Sequence, residues 1–202
     1  MIKKILLTFV LALSVTLCIG QAKPIYFYGD KITTDKDKIT SYGIYGKLST
    51  EDIWTFKRFD LYDNLLQTGS YADSLLTIPH GKFIFYGDIQ AFNNLNLTTY
   101  RIKNKFRYTA QEGSFVNGLE QGPWYNYYPD GNILSVQNFK DGKLNGLFVS
   151  RDRYGKDIIT GNFVNGEKDG EWRFEKEKRL DVFEAGILKS STYIKKEKKS
   201  NN

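Results

Sequence analysis

Cysteine and histidine are almost absent from this chain of 202 residues, which has one of each, Cys18 and His80. A single cysteine cannot form an intrachain disulfide framework or supply a cysteine-based zinc site. A single histidine leaves little room for a multi-histidine metal centre. The sequence therefore predicts no bound metal and no structural disulfide.

Charge of one sign is also scarce in the body of the chain, although the formal net charge is +6. Lys3 and Lys4 carry part of the excess, and residues 189–202 carry five lysines against one glutamate. Residues 21–188 are therefore neutral. Because nucleic-acid binding needs a basic stripe on the folded body, we expect no nucleic-acid partner.

Recognisable catalytic motifs are missing as well. The sequence has no Gly-x-Ser-x-Gly elbow and no Gly-x-x-x-x-Gly-Lys-Ser/Thr phosphate loop. His80 follows Pro79 in a predicted loop, and a catalytic histidine needs a partner base or nucleophile. We therefore interpret His80 as a surface histidine and predict that the protein is not an enzyme and needs no cofactor.

One long apolar run lies near the N-terminus, from Ile5 to Val15, after the basic start Met1-Ile2-Lys3-Lys4. This layout is typical of a bacterial secretory signal peptide, and the run is shorter than the roughly 20 residues that a membrane-spanning helix needs. We predict that residues 1–20 are a signal peptide and that the protein is exported to the periplasm or beyond. As the alternative, Val15-Thr16-Leu17-Cys18 resembles a lipoprotein box at two of three positions, which would anchor the protein through a lipidated Cys18.

Aromatic residues and glycine are abundant, and they recur with a period of 24 residues. Five columns keep this step through the C-terminal half. They are Phe115, Phe139 and Phe163; Gly118, Gly142 and Gly166; Gly122, Gly146 and Gly170; Trp124, Phe148 and Trp172; and the turn glycines Gly131 and Gly155. A half-unit around Phe183 and Gly186 follows after a shortened step. The body is therefore predicted to be a repeat.

The remaining organisation follows from where this period weakens. Fainter copies lie around Trp54, Tyr71 and Phe83, and the stretch 87–107 interrupts the period as an insertion. The expected parts are a signal peptide (1–20), an N-terminal strand or cap region (21–44), repeats (45–188) and a disordered lysine-rich tail (189–202).

Each unit is predicted to be two short strands. Residues 171–175 alternate polar and aromatic side chains with a period of two, as in a half-buried strand. Asn117-Gly118, Asp141-Gly142 and Asn165-Gly166 are typical hairpin turns. We predict an all-β, antiparallel hairpin array forming a single-sheet solenoid, stable only as a stack. Its expected core is Trp54, Phe83, Phe115, Trp124, Phe139, Phe148, Phe163 and Trp172.

The recurring pattern aromatic-x-(Asn/Asp)-Gly-x-x-x-Gly-x-(Trp/Phe) resembles the MORN repeat (membrane occupation and recognition nexus). It is most similar to the bacterial variant found in exported proteins and in a group of antitoxin-type proteins. The resemblance is clear over 113–186 and weak over 45–86. It implies an elongated β-hairpin array used for protein contacts or membrane association, with no catalytic residues.

A candidate binding surface follows from strand alternation. Neighbours of the expected core residues should face the other way, and in three consecutive units they are apolar or aromatic: Ile84, Tyr86, Tyr125, Tyr127, Leu147 and Val149. Exposed apolar patches of this kind mark interaction surfaces. The alternative is that the 87–107 segment or the N-terminal region covers the patch.

The sequence thus predicts an exported protein that binds another protein. Two alternatives stay open: an antitoxin-like or immunity-like protein that neutralises a toxin, and a glycan-binding envelope protein. The lysine-rich tail also allows contact with a membrane surface.

Overall fold

The computed structural model describes residues 22–47 and 52–194, which fall into two compact units divided between His80 and Gly81. The predicted signal peptide and residues 195–202 lie outside the described residues. Each unit is a single antiparallel sheet of consecutive strands. The prediction of an all-β hairpin array is therefore confirmed.

The first unit begins with the region predicted to be a strand or cap. Its strands are β1 (Lys23–Tyr28), β2 (Lys31–Ile32), β3 (Ser41–Lys47), β4 (Trp54–Asp60) and β5 (Leu65–Tyr71). They lie in the order β2-β1-β3-β4-β5, and a 3-10 turn at Lys36–Lys38 precedes β3. The predicted boundary at residue 44 falls inside β3, so the cap region and the first weak repeat share one sheet.

The centre of the first unit is Phe56 rather than Trp54. Phe56 is 3% exposed, and its ring meets Phe27 and Tyr71 edge-on at centroid distances of 6.0 and 5.7 Å. Trp54 lies at the start of β4, half-buried, with its ring against Tyr45 at 5.9 Å. The two side chains share a face of β4, and the position nearer the middle of the strand is the one that neighbouring strands cover.

The second unit holds the strong repeats. Its elements are β6 (Gly81–Asp88), α1 (Ile89–Asn96), β7 (Arg107–Val116), β8 (Leu119–Tyr127), β9 (Ile133–Lys140), β10 (Lys143–Leu144), β11 (Gly146–Arg151), β12 (Asp157–Val164), β13 (Glu167–Phe174), β14 (Arg179–Glu184) and β15 (Ile187–Tyr193). The strands follow chain order across the sheet, except that the short β10 pairs only with β9.

Two-residue hairpin turns join the strands at one edge. Asn117-Gly118, Asp141-Gly142 and Asn165-Gly166 all have positive φ at both residues, and the flanking residues pair directly. Type I′ turns require this geometry, which asparagine and glycine adopt readily. The last hairpin uses Ala185-Gly186 in the same conformation, with φ of 46° at the alanine.

The aromatic columns form a ladder on one face of this sheet, here called the Trp face. Phe83, Trp124 and Trp172 are at most 4% exposed. The half-buried phenylalanines join them edge-on: Phe115 lies 5.0 Å from Trp124, and Phe163 lies 4.9 Å from Trp172. Edge-to-face contacts of this kind add to the stabilisation from burial.

The second glycine column pairs with the next unit's phenylalanine. Gly122 lies opposite Phe139, Gly146 opposite Phe163, and Gly170 opposite Phe183. All three glycines have positive φ. The pairing of β7 with β8 has a β-bulge within three residues of Gly122, and the pairing of β12 with β13 has one within three residues of Gly170. In each repeat, therefore, the second glycine is paired with the phenylalanine of the repeat that follows.

The predicted insertion contains a helix that the sequence pattern did not indicate. Helix α1 begins after Asp88, whose carboxylate accepts a hydrogen bond from the Ala91 amide at 2.7 Å. Buried Asn93 hydrogen-bonds both the amide and the carbonyl of Tyr100, which fastens the return of the chain towards β7. The insertion is therefore an ordered part of the second unit.

Candidate functional site

The candidate site is the face of the second sheet opposite the Trp face, here called the outer face. Cross-strand pairing sets a row of side chains along it, from β6 to β15. The row is Ile84, Glu112, Tyr125, Val136, Val149, Thr160, Arg173, Leu180 and Thr192. Apart from Glu112, the row is apolar or aromatic from β6 to β11, and it is polar or charged on β12 and β13.

The predicted surface residues lie on this face, and most are partly covered. Ile84, Tyr86, Tyr125 and Tyr127 are half-buried, whereas Leu147 is 57% exposed. The rings of Tyr125 and Tyr127 stack at a centroid distance of 6.3 Å and an interplanar angle of 24°. The outer face therefore presents a stacked tyrosine pair on β8.

Val149 does not contribute exposed surface, so that part of the prediction is wrong. Its exposure is 6%, because it lies in the middle of the sheet between Val136 on β9 and Thr160 on β12. Both neighbours bring side chains to the same face. Val149 is therefore a buried residue within the outer face and offers no surface to a ligand.

A polar network orients Tyr127. Its hydroxyl donates to Glu112 Oε1 at 2.9 Å, and Lys82 Nζ lies 2.9 Å from Glu112 Oε2. Burial raises the pKa of Tyr127 to about 12, and the bond to Glu112 acts in the same direction. The hydrogen bond from Lys82 holds the pKa of Glu112 below its usual value. At neutral pH Tyr127 is therefore a neutral phenol and Glu112 is a carboxylate.

An open groove of ≈ 960 Å³ lies on the outer face beside the turns at Gly131 and Gly155. Its charged lining residues are Arg151, Lys156, Asp157, Arg173 and Glu175. Ile133 also lines it and pairs directly with Tyr127, so the groove adjoins the stacked tyrosines.

The charges in the groove are unequally paired. Arg151 Nε contacts Asp157 Oδ1 at 2.8 Å, and the Arg151 carbonyl accepts a hydrogen bond from Tyr128 at 2.8 Å. Among the described residues, no carboxylate lies within ion-pair distance of Arg173. Arg173 is therefore a cation that a ligand on this face can reach.

The insertion does not lie over the tyrosine pair. The ring of Phe92 in α1 contacts Tyr100, Tyr108 and Tyr128 at 5.7–6.1 Å. Tyr128 directly follows β8, and continuing the alternation of that strand by one residue puts it on the same side as Trp124. The helix thus packs against the Trp face, and Leu147 on the outer face stays exposed.

The part of the chain that the structure describes contains neither a candidate metal-binding cluster nor a helix able to span a membrane. There, no three His, Cys, Asp or Glu side chains are grouped as metal ligands, and no helix has the length and apolar character to cross a membrane. His80 is half-buried in the first unit, with its amide donating to the Ser70 carbonyl at 2.9 Å.

The sequence reasoning missed Glu112, Arg151 and Asp157. Strand alternation alone could have placed Glu112, which is one residue from Gly113 on β7. Arg151 and Asp157 needed the β11–β12 pairing, which brings them together across a turn despite an intervening bulge.

Comparison with known proteins found no protein-family model, no curated protein and no solved structure that matches this chain.

Proposed function

We propose that this chain is an exported, non-enzymatic, MORN-type repeat protein that binds another protein through the outer face of its second unit. The observation that carries the proposal is the stacked Tyr125–Tyr127 pair beside a groove containing Arg173. Tyrosine and arginine are the side chains that protein interfaces favour most, and they dominate binding energy when they cluster.

The tyrosine pair is suited to binding because it is already ordered. Tyr127 is fixed by Glu112, and Tyr125 stacks on it, so little side-chain freedom remains to be lost on association. Arg173 adds a charge that a carboxylate of the partner can pair with. The expected partner surface is therefore apolar with an acidic rim.

Export and MORN-type repeats are proposals that rest on the sequence. The apolar leader supports export, and the 24-residue hairpin repeat with its paired glycine and phenylalanine columns supports a MORN-type array. An immunity-like role, in which the bound protein is a toxin acting outside the cytoplasm, is one form of the same binding function.

Site-specific photo-crosslinking in the source cells tests the proposal. A photoreactive residue at Leu147, which is 57% exposed on the outer face, should give one saturable protein adduct. The same residue at Leu75, which is 72% exposed in the first unit, is the matched control. The double variant Tyr125→Ser/Tyr127→Ser should reduce the Leu147 adduct by roughly tenfold or more, the loss expected for an anchor contact.

Equal adducts at Leu147 and Leu75, or an adduct indifferent to the double variant, would refute binding at the outer face. Circular dichroism of the double variant establishes that the sheet is intact.

Glycan binding is the second candidate, favoured by the adjacent tyrosine rings, on which sugar rings can stack. The groove also contains Asp157 and Glu175, but Asp157 is already paired with Arg151 at 2.8 Å. Retention on a polysaccharide column that is lost in the double variant, without any protein adduct at Leu147, would favour this candidate.

A further inference from the structure

The insertion between β6 and β7 carries three large apolar side chains that lie almost entirely in solvent. Leu97 is 94% exposed, Leu95 84% and Phe106 81%. The two leucines lie at the end of α1, and Phe106 directly precedes β7. Single exposed apolar residues are ordinary on a protein surface, but a group of them on one short segment marks a contact surface.

Hydrogen bonds hold the backbone around Phe106 in place. The Ile89 amide, in the first turn of α1, donates to the Phe106 carbonyl at 2.9 Å. Just before it, the Lys105 amide donates to the Ile102 carbonyl at 3.1 Å and closes a turn in which Asn104 has a φ of 58°. The exposed ring of Phe106 therefore extends from an ordered part of the chain.

The charge of the same segment has one sign. Between Asp88 and Glu112 the sequence contains no carboxylate. Its side chains Arg101, Lys103 and Lys105 are exposed, and no carboxylate of the described residues lies within ion-pair distance of them. Because residues 21–188 are neutral as a whole, this positive charge is a local feature of the insertion.

We propose that the insertion binds the surface of an anionic lipid bilayer, with Leu95, Leu97 and Phe106 entering the boundary between headgroups and acyl chains. Apolar burial and the attraction of lysine and arginine to anionic lipids act together at such a surface. A bilayer is fluid and closes around side chains that project separately, whereas a protein partner would need a matching pocket for each. A nucleic acid would pair with the cations and leave the leucines in water.

This contact and the proposed partner site lie on different sides of the second sheet. Helix α1 packs against the Trp face through Phe92, whereas the stacked tyrosines lie on the outer face. A protein held on a membrane by its insertion would therefore keep the outer face accessible. The inference does not depend on the proposed function.

Sedimentation with lipid vesicles tests the charge argument. The isolated protein, its N-terminus defined by intact mass, should bind vesicles made of equal parts of phosphatidylcholine and phosphatidylglycerol, and should not bind phosphatidylcholine alone. Lys103→Gln/Lys105→Gln should weaken this binding about tenfold or more.

The matched control is Lys140→Gln/Lys143→Gln. These lysines are exposed beside the Asp141-Gly142 turn, at the edge of the sheet opposite the insertion. The control should change the binding by less than about twofold, because its lysines lie away from the proposed contact. Both double variants keep the lysine-rich tail, so the tail contributes equally to each.

A fluorescent reporter tests whether the apolar side chains enter the bilayer. With Cys18 replaced by serine, Leu97→Cys labelled with the dye NBD should show a blue shift and gain intensity about twofold or more on the anionic vesicles. Labelled Ser74→Cys, exposed in the first unit, should not change. Phe106→Ser should weaken vesicle binding about tenfold, since its apolar surface would no longer be buried. Its urea midpoint should stay unchanged, because the ring is exposed.

Absence of binding to the anionic vesicles, or equal binding by the two lysine variants, would overturn the proposal. Sedimentation without any change at labelled Leu97 would also overturn it, because another surface would then be responsible. A photoreactive residue at Leu97 that gives one protein adduct in the source cells, without vesicle binding, would identify a protein as the occupant instead. The proposed function is tested separately at Leu147, so the two can fail independently.

Discussion

Replacing Gly161 by alanine would put a methyl group where the indole of Trp172 now lies. An ideal Cβ on Gly161 would lie 2.2 Å from Trp172 Cδ2 and 2.3 Å from Cε2. Ordinary van der Waals contact begins at 3.4 Å, so the ring would have to move by about 1.2 Å. Gly161 is therefore required because the indole covers its backbone.

Movement of that ring is resisted on every side. Trp172 is 2% exposed, its Nε1 donates to the Asn162 carbonyl at 3.1 Å, and its ring packs on Phe163 and Phe148. Overpacking costs about 1–3 kcal/mol, and loss of the hydrogen bond adds about 1 kcal/mol. We expect Gly161→Ala to lower the free energy of unfolding by about 2–4 kcal/mol.

Urea denaturation followed by circular dichroism measures this loss. Gln137→Ala is the matched control, because Gln137 occupies the same column one unit earlier, where the following ring is Phe148. It should cost less than about 1 kcal/mol, as for a half-exposed polar side chain. In a Trp172→Ala background, Gly161→Ala should also become nearly neutral. Equal costs with and without the indole would refute the reasoning.

Two further predictions concern a turn and a titration. Ala185→Asn should stabilise the protein by about 0.5–1 kcal/mol, since alanine at φ 46° is strained. Asn165→Ala at the equivalent turn should destabilise it by a similar amount. The midpoints of urea denaturation measure both changes. Because the pKa of Tyr127 is raised to about 12 from 10.0, its protonated form stabilises the fold fully below pH 10, and this contribution is lost as the pH rises towards 12. The phenolate absorbance of the native protein minus that of Tyr127→Phe should show a titration with a pKa of about 12. Glu112→Gln should lower the pKa of this titration. A titration at the ordinary tyrosine pKa would contradict the hydrogen bond between Tyr127 and Glu112.

The repeat units could be predicted because their signals are local. Asn117-Gly118 and its counterparts adopt positive φ almost independently of context, so the turns, and with them the strand ends, follow from the sequence. The aromatic columns share one period because rings of one unit contact rings of the next, as Trp124 contacts Phe139 and Phe148 contacts Trp172. Residues governed by these local rules lie where the pattern predicted.

The other features depend on contacts between distant parts of the chain. Val149 is buried by strands whose order along the sheet decides which side chains flank it. Helix α1 is eight residues long and is held by its cap and by Phe92, so its periodicity is too brief to be recognised. Glu112 and Tyr127 meet only when β7 and β8 pair around a bulge.

The pairing of each glycine with the next phenylalanine makes the repeats interchangeable. Joining Gly122 directly to Leu147 would remove one whole unit, yet Gly122 would then face Phe163 as Gly146 now does. A tandem gene duplication of one unit would be equally compatible with the ladder. Such a protein can change its length in evolution by whole hairpins, and so adjust the reach of its surface without redesigning its interior.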